Sequence, residues 1–173
     1  QVIEHLNRDD DIYALVVTGQ GSKFFSAGAD LNLFADGDKA RAREMARRFG
    51  EAFETLRDFR GVSIAAINGY AMGGGLECAL ACDIRIAAPG STYGVTAAKL
   101  GLVYPPGPTR SLARVLGDAW ARYLLLTASI VDVDQMQRLG FIHETADDPL
   151  ARAQELGERI ASLSQLSQIG AKA

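Results

Sequence analysis

Three consecutive glycines, Gly73, Gly74 and Gly75, stand at the mouth of a helical pattern in the segment NGYAMGGGLECALACD (Asn68–Asp83). Glycine in a helix interior costs about 1 kcal/mol relative to alanine, because its backbone loses more freedom on folding. A chain that keeps three of them together needs its backbone to approach something closely there. Two readings account for this. A helix starting at Gly74 or Gly75 leaves its first N–H groups without intrahelical partners, and without Cβ atoms in the way a substrate oxygen can reach them. Alternatively, the helix lies so tightly on a strand that no side chain fits. The residues alone leave both open.

The flanking patterns set the fold class. YALVVTG (Tyr13–Gly19) and VSIAAING (Val62–Gly69) read as buried strands closed by glycine turns. GSKFFSAGADL (Gly21–Leu31) holds a short strand at Phe24–Ser26 and a turn at Ala27–Asp30, and DIRIAAP and STYGV supply two further strands. A charged amphipathic helix spans Lys39–Phe59, with Ala42, Met45, Phe49, Phe53 and Leu56 at helical spacing. TAAKLGL (Thr96–Leu102) reads as helix or turn. YPPGPT (Tyr104–Thr109) is expected to be a loop, because Pro105, Pro106 and Pro108 are poor partners for regular structure. Helices are expected near Arg110–Leu116, Ala119–Leu126, Val133–Leu139 and Leu150–Leu163. Strands giving way to helices within 173 residues, with no linker, predict one α/β domain whose site lies where strands hand over to helices.

Glu77 follows the glycines. As a first-turn acid it complements the helix dipole, an effect of about 0.3–1 kcal/mol. Its neighbours Leu76, Cys78, Ala79 and Leu80 are apolar, however, so the helix is expected to be buried nearly all round. Desolvation there would raise the carboxyl's pKa toward the range useful for proton transfer, which favours a catalytic acid or base. The small turn Ala27-Gly28-Ala29 could expose a second N–H, and two such donors from separate loops make an oxyanion hole. Asp30 is read as a turn or helix cap.

Other chemistries fit less well. Neither a G-x-x-x-x-G-K-[ST] loop nor a strand-bound G-x-G-x-x-G is present, and no G-x-S-x-G elbow occurs. Cys78 and Cys82 lie far in sequence from His5 and His143, so buried reduced thiols are expected rather than a metal site. A net charge of −3, from 18 basic and 21 acidic residues, argues against a nucleic-acid surface. No apolar run is long enough to span a bilayer, so no membrane partner is expected. The reduced thiols suggest a cytoplasmic setting, or an organelle matrix if a leader has been lost.

The segments VVTGQGSKFFSAGADL (Val16–Leu31), AAINGYAMGGGLECALACDIRIAA (Ala65–Ala88) and LGLVYPPG (Leu100–Gly107) together resemble the crotonase (enoyl-CoA hydratase/isomerase) superfamily. The resemblance covers most of the chain. It implies a crotonase-like spiral of ββα units with a helical C-terminal part, in a single domain over residues 1–173. That domain would lack the N-terminal strands and C-terminal trimerisation helices of full-length members. It further implies an acyl-CoA substrate, no permanently bound cofactor, coenzyme A as part of the substrate, and assembly as a homotrimer or a dimer of trimers. The oxyanion hole would map to the N–H groups of Ala29 and Gly74, with Glu77 as the first of the family's two hydratase glutamates. CoA would lie along Ser26, Ala27, Ala29, Asp30 and Leu31 and against Gly73 and Gly74, with Lys23 and Asn32 near its polar parts.

The chain also departs from the pattern. The second hydratase glutamate aligns with Ala97, which weighs against efficient hydration and against simple isomerisation. Tyr104 aligns with a tyrosine that belongs to the site in some acyl-CoA decarboxylases of the superfamily, although a core or interfacial role is the simpler account. Expected functions are therefore a hydratase/isomerase-type enzyme, a decarboxylase of malonyl-type CoA esters, or an idle CoA-binding homologue.

Overall fold

Two four-stranded sheets share the chain between them. The computed structural model describes residues 2–30 and 38–172, with the side chains of Lys39 and Ala42 outside the described set. After a short helix α1 (Val2–Leu6), strand β1 (Ala14–Thr18) enters one sheet and β2 (Phe24–Ser26) the other, and helix α2 (Lys39–Arg57) completes the unit. The second unit repeats the plan with β3 (Val62–Ile67), β4 (Tyr70–Met72) and α3 (Gly74–Ala81), and a third begins with β5 (Ile84–Ala87) and β6 (Thr92–Gly94). A 3₁₀ turn at Ala97–Leu100 leads to α4 (Pro106–Leu116) and α5 (Asp118–Thr127). Then come β7 (Ile130–Asp132), α6 (Val133–Arg138), β8 (Glu144–Thr145), α7 (Pro149–Ala161) and α8 (Gln165–Lys172).

The sheet orders are β1-β3-β5-β8, parallel throughout, and β2-β4-β6-β7, parallel until β7 pairs antiparallel with β6. Each unit thus adds one strand to each sheet, which is the ββα spiral. β3 is central, pairing Val16↔Ile64 on one side and Ile64↔Ile84 on the other. All six of its residues are buried because both faces are covered, which is why VSIAAI is unbroken rather than alternating. Val62, Ile64 and Ala66 pack with Ala153 and Ile160 of α7, while Ala65 and Ile67 join the main core with Leu76, Tyr93 and Phe141.

The corners between sheets need glycine for space. A Cβ on Gly19 would lie 2.1 Å from the Phe24 carbonyl oxygen, and one on Gly69 would lie 2.2 Å from that of Lys23. Asn68 ties these corners together, its amide donating to Gly19 O (3.0 Å) and Gly21 O (2.6 Å) and accepting from Gly19 N.

Several expectations change. The proline segment is not all loop: α4 begins at Pro106, with Pro105 as an extended N-cap and Pro108 within the first turn. First-turn N–H groups have no intrahelical acceptor, so prolines cost nothing there, and their fixed φ already suits a helix. The long amphipathic helix ends at Arg57 rather than Phe59, and its start is capped by Asp38, whose carboxylate accepts from Ala40 N and Arg41 N. Strands β4, β7 and β8, at two or three residues each, were not expected from the sequence, nor were helices α1 and α8.

Two glycines give a direct test of packing. A Cβ on Gly75 would sit 2.3 Å from the Ser26 carbonyl oxygen, whereas one on Gly50, within α2, meets nothing within 4 Å. Gly75→Ala should lower stability by about 3 kcal/mol through backbone displacement, and Gly50→Ala should raise it by about 0.5–1 kcal/mol. Urea unfolding of the two variants should therefore move the midpoint in opposite directions.

Candidate active site

The three glycines of the cluster sit in different surroundings. Gly75 is the packing glycine, pressed on Ser26 at the end of β2. Gly74 lines the cavity, and a Cβ there would make ordinary contacts of 3.5 Å with Gly28 Cα and 3.7 Å with both Ala29 N and the Phe49 ring. Gly73 takes φ 50° and ψ −115°, a conformation that favours glycine, and turns the chain from β4 into α3. Its N–H donates to Gly94 O (2.9 Å) and its carbonyl accepts from Glu77 N (3.1 Å). Gly74 opens α3, so its N–H has no acceptor within the helix.

The second loop is locked onto the first. Gly28 has φ 91°, and a Cβ there would meet Met72 O at 2.7 Å and Gly74 N at 3.0 Å. Ser26 Oγ accepts from Gly28 N (3.2 Å), shaping the turn that carries Ala29. Ala27, Gly28, Ala29, Gly73, Gly74 and Glu77 consequently line one cavity of about 680 Å³.

Glu77 lies one turn into α3 and is 9 % exposed. Burial pushes its carboxyl above the usual carboxylate range, while the Tyr104 hydroxyl and the Arg57 charge act against that rise. Tyr104 stands close enough for the two groups to shift each other's titration, yet its buried hydroxyl makes no hydrogen bond of full geometry. Burial, then the neighbouring carboxylate, keep the phenol protonated.

The helix bearing Glu77 is held at its far end by a buried arginine. Arg85 donates to Cys82 O (2.7 Å) and Ala79 O (3.4 Å) at the C-terminus of α3 and to Phe141 O (2.6 Å). Its guanidinium also stacks on the Phe141 ring at 5.2 Å. Such a clamp satisfies carbonyls that the helix end leaves unpaired and fixes the register of Glu77.

The other expected residues divide. Ala97 lines the cavity, so the position aligned with a second glutamate is at the site and offers a methyl group. Tyr104 lines it too. Lys23 lines a different cavity of about 640 Å³ at the carboxyl end of the β1-β3-β5 sheet, with its ammonium 5.4 Å above the Phe24 ring. Ser26 supports the loop rather than lining the cavity, and Asp30 is exposed outside it. Leu31 and Asn32 lie outside the described residues. Cys78 and Cys82 are free thiols with raised pKa values, Cys78 being pushed up to about 11 by burial. Residues not anticipated at the site are Arg43 and Arg57 of α2 and Arg110 and Arg114 of α4, all on the cavity wall. The signal for Arg57 was available: it follows Phe53 by one helical turn and shares its face.

The enoyl-CoA hydratase/isomerase family profile matches residues 1–171. The chain belongs to that family, within the crotonase superfamily. It is 34% identical over 164 residues to the crotonyl-CoA hydratase of Syntrophomonas wolfei, covering 94% of this chain and 63% of that protein. Among solved structures it is similar to Pseudomonas aeruginosa DspI, with a TM-score of 0.95 at 59% identity over 99% of this chain and 66% of that one. An enoyl-CoA hydratase from Bacillus anthracis gives a TM-score of 0.94 at 31% identity, over 99% of this chain and 67% of that one. The chain thus spans 63% of the length of the S. wolfei relative and 66% of the DspI chain.

Burial of Glu77 has a stability consequence with a definite sign. A carboxyl whose pKa is raised by folding keeps its proton longer in the folded chain, so its ionisation costs stability as pH rises from 4.5, the ordinary value, through the raised one. Glu77→Gln removes that cost. The variant should melt at a higher temperature than the parent at about pH 7.5, and the gain should shrink toward zero at about pH 4. Differential scanning calorimetry across that range checks it.

Proposed function

We propose that this chain is the catalytic part of an acyl-CoA thioester enzyme of the hydratase/isomerase type. The observation that carries the reading is the convergence of the Ala29 and Gly74 backbone with the Glu77 carboxyl in one cavity. The two N–H groups would donate to the thioester oxygen and stabilise the enolate-like anion formed when charge moves onto it. Helix α3 adds the positive end of its dipole at the same point.

Glu77 would then carry protons. In hydration of a 2-enoyl thioester, its carboxylate takes a proton from water as the oxygen attacks the β-carbon. The enolate collapses, and the carboxyl returns a proton to the α-carbon. In a 1,3-proton shift the same group removes a proton from one carbon and delivers it to another. Either sequence is run by one carboxyl acting first as base and then as acid, which suits a site with Ala97 in place of a second glutamate. A raised pKa favours both roles near neutral pH. No resident cofactor enters this chemistry; coenzyme A belongs to the substrate.

Decarboxylation of a malonyl-type CoA ester is the second reading, favoured by the pairing of Tyr104 with Glu77 opposite an alanine. Loss of CO₂ leaves the same thioester enolate, so the oxyanion hole serves it unchanged. We further propose a trimer or dimer of trimers acting in fatty-acid metabolism in the cytoplasm. The exposed apolar side chains Val103 (92 %) and Leu126 (74 %) support an assembly contact, and light scattering of the intact protein measures its size.

Purified intact protein offered 2-enoyl-, 3-enoyl- and malonyl-type CoA esters, with products followed by mass spectrometry, tests the readings. For a hydratase or isomerase, Glu77→Gln should cut kcat by about 10²–10⁴ while acyl-CoA still binds. Gly74→Ala, whose methyl group the fold tolerates but which would stand beside Ala29 N in the path of the thioester oxygen, should cost about 10²–10³. A decarboxylase would instead be sensitive to Tyr104→Phe and less so to Glu77→Gln. Absence of turnover with every ester would leave a CoA-binding role.

A further inference from the structure

A carboxyl that must give up its proton in an apolar site needs a nearby donor or positive charge to hold the ionised form. The described groups facing Glu77 are few. Cys78 on its own helix stays a neutral thiol, and the Tyr104 hydroxyl ahead of α4 stays a neutral phenol. From α4, Arg110 and Arg114 reach the cavity wall, and from α2 come Arg43, Glu54 and Arg57. Arg57 stands apart from the other cations. It is half-buried, whereas Arg43, Arg110 and Arg114 are exposed. It sits on the last turn of α2, the helix that packs against α3, one turn beyond Phe53 on the cavity face. Among the described residues its guanidinium forms no direct ion pair, and Arg57 and Glu77 line the same cavity on packed helices, which places its positive charge where it favours the ionised carboxyl.

We propose that Arg57 is a positioning residue of this site, its guanidinium facing the Glu77 carboxyl across the cavity and holding it in the ionised, proton-accepting form. The proposal rests on the reading of Glu77 as the proton carrier. Separation and partial exposure keep the effect moderate, because an exposed charge is screened and a direct bond would leave the carboxylate too weak a base. An arginine beyond bonding distance therefore offsets part of the desolvation and leaves Glu77 able to take a proton and give it back.

The test is the titration of Glu77 itself, by carbon-13 NMR of the intact protein labelled at glutamate carboxyls, with the resonance assigned through Glu77→Gln. Arg57→Met, with Arg57→Gln as a second neutral variant, should raise the midpoint by about half to one unit. That corresponds to about a threefold to tenfold lower ratio of ionised to protonated carboxyl at fixed pH. Arg57→Lys should restore the midpoint. Arg43→Met, about 20 Å away along α2 at about 1.5 Å per residue, should leave it in place. The acid limb of kcat/KM with a 2-enoyl-CoA should move with the NMR midpoint. An unmoved Glu77 midpoint in both neutral variants overturns the proposal, as does an equal shift in Arg43→Met. Lack of turnover in the parent would instead remove the proposed function, while the titration would still decide whether Arg57 governs Glu77.

Discussion

The contact on which this structure depends is the approach of two stretches of backbone, Gly75 at the start of α3 and Ser26 at the end of β2. A methyl group on Gly75 would fall 2.3 Å from the Ser26 carbonyl oxygen. That spacing draws the turn after β2 and the turn before α3 together, so Gly28 is wedged under Met72 and Gly74. With both turns held by main-chain contacts and by Ser26 Oγ, which accepts from Gly28 N, Ala29 and Gly74 line the same cavity. On the proposed function, N–H donors held in this way would need little reorganisation when charge develops in front of them, which is the condition for effective oxyanion stabilisation.

The same arrangement explains why the acid of the site is under strain. α3 is short and apolar, packed between β4, α2 and the main core, so Glu77 loses most of its water. The chain accepts that cost and fixes the helix at both ends. Gly73 turns it at one end, and the buried Arg85 binds its terminal carbonyls at the other. Arg85 is in turn held by Phe141 and stands against His143, whose Nδ1 accepts from Arg85 N at 3.0 Å. The register of Glu77 therefore depends on a network reaching across β5 to the segment before β8. Asp83 makes a similar link farther out, accepting from Ser63 N, Ser63 Oγ and Lys172 Nζ and so fastening α8 to β3.

Much of this was legible in the residues, and the exceptions have physical causes. The strand at Val62–Ile67 was visible because burial on both faces demands a continuous apolar run, and Ala14–Thr18 was visible from its β-branched apolar residues although it is only half-buried at the edge of its sheet. The glycine cluster announced a close approach, although only the structure separates the packing glycine, Gly75, from Gly74 beside the cavity. β4, β7 and β8 were hidden because pairing partners, not local propensity, make strands of two or three residues. The prolines at 105, 106 and 108 hide the start of α4, because a proline run is incompatible with a helix interior but not with the N-cap and first turn that these three occupy. The cavity arginines were missed for a related reason: amphipathicity marks the apolar face of α2 and is silent about the polar residues flanking it. Lys23, expected near CoA's polar parts, lines the other cavity because β2 runs from that end of the molecule toward the turn at Ala27.

The exchange at the aligned second-glutamate position bears most directly on chemistry. Two carboxylates side by side in this cavity would raise each other's pKa, so one would hold its proton and donate while the other accepted. Replacing one with Ala97 removes that division of labour. It also removes a like charge, so the remaining carboxylate is governed by burial, by the Tyr104 phenol and by the distant guanidinium of Arg57. The phenol cannot substitute as a second base, since burial and the adjacent carboxylate keep it protonated. It can, however, donate a hydrogen bond to an anion without releasing its proton. On the proposed function, a site built this way would move one proton through one carboxyl and rely on backbone N–H groups to stabilise charge. Its reaction would then be chosen by what the substrate offers Glu77: a water beside the β-carbon, an acidic C–H, or a carboxylate to be lost.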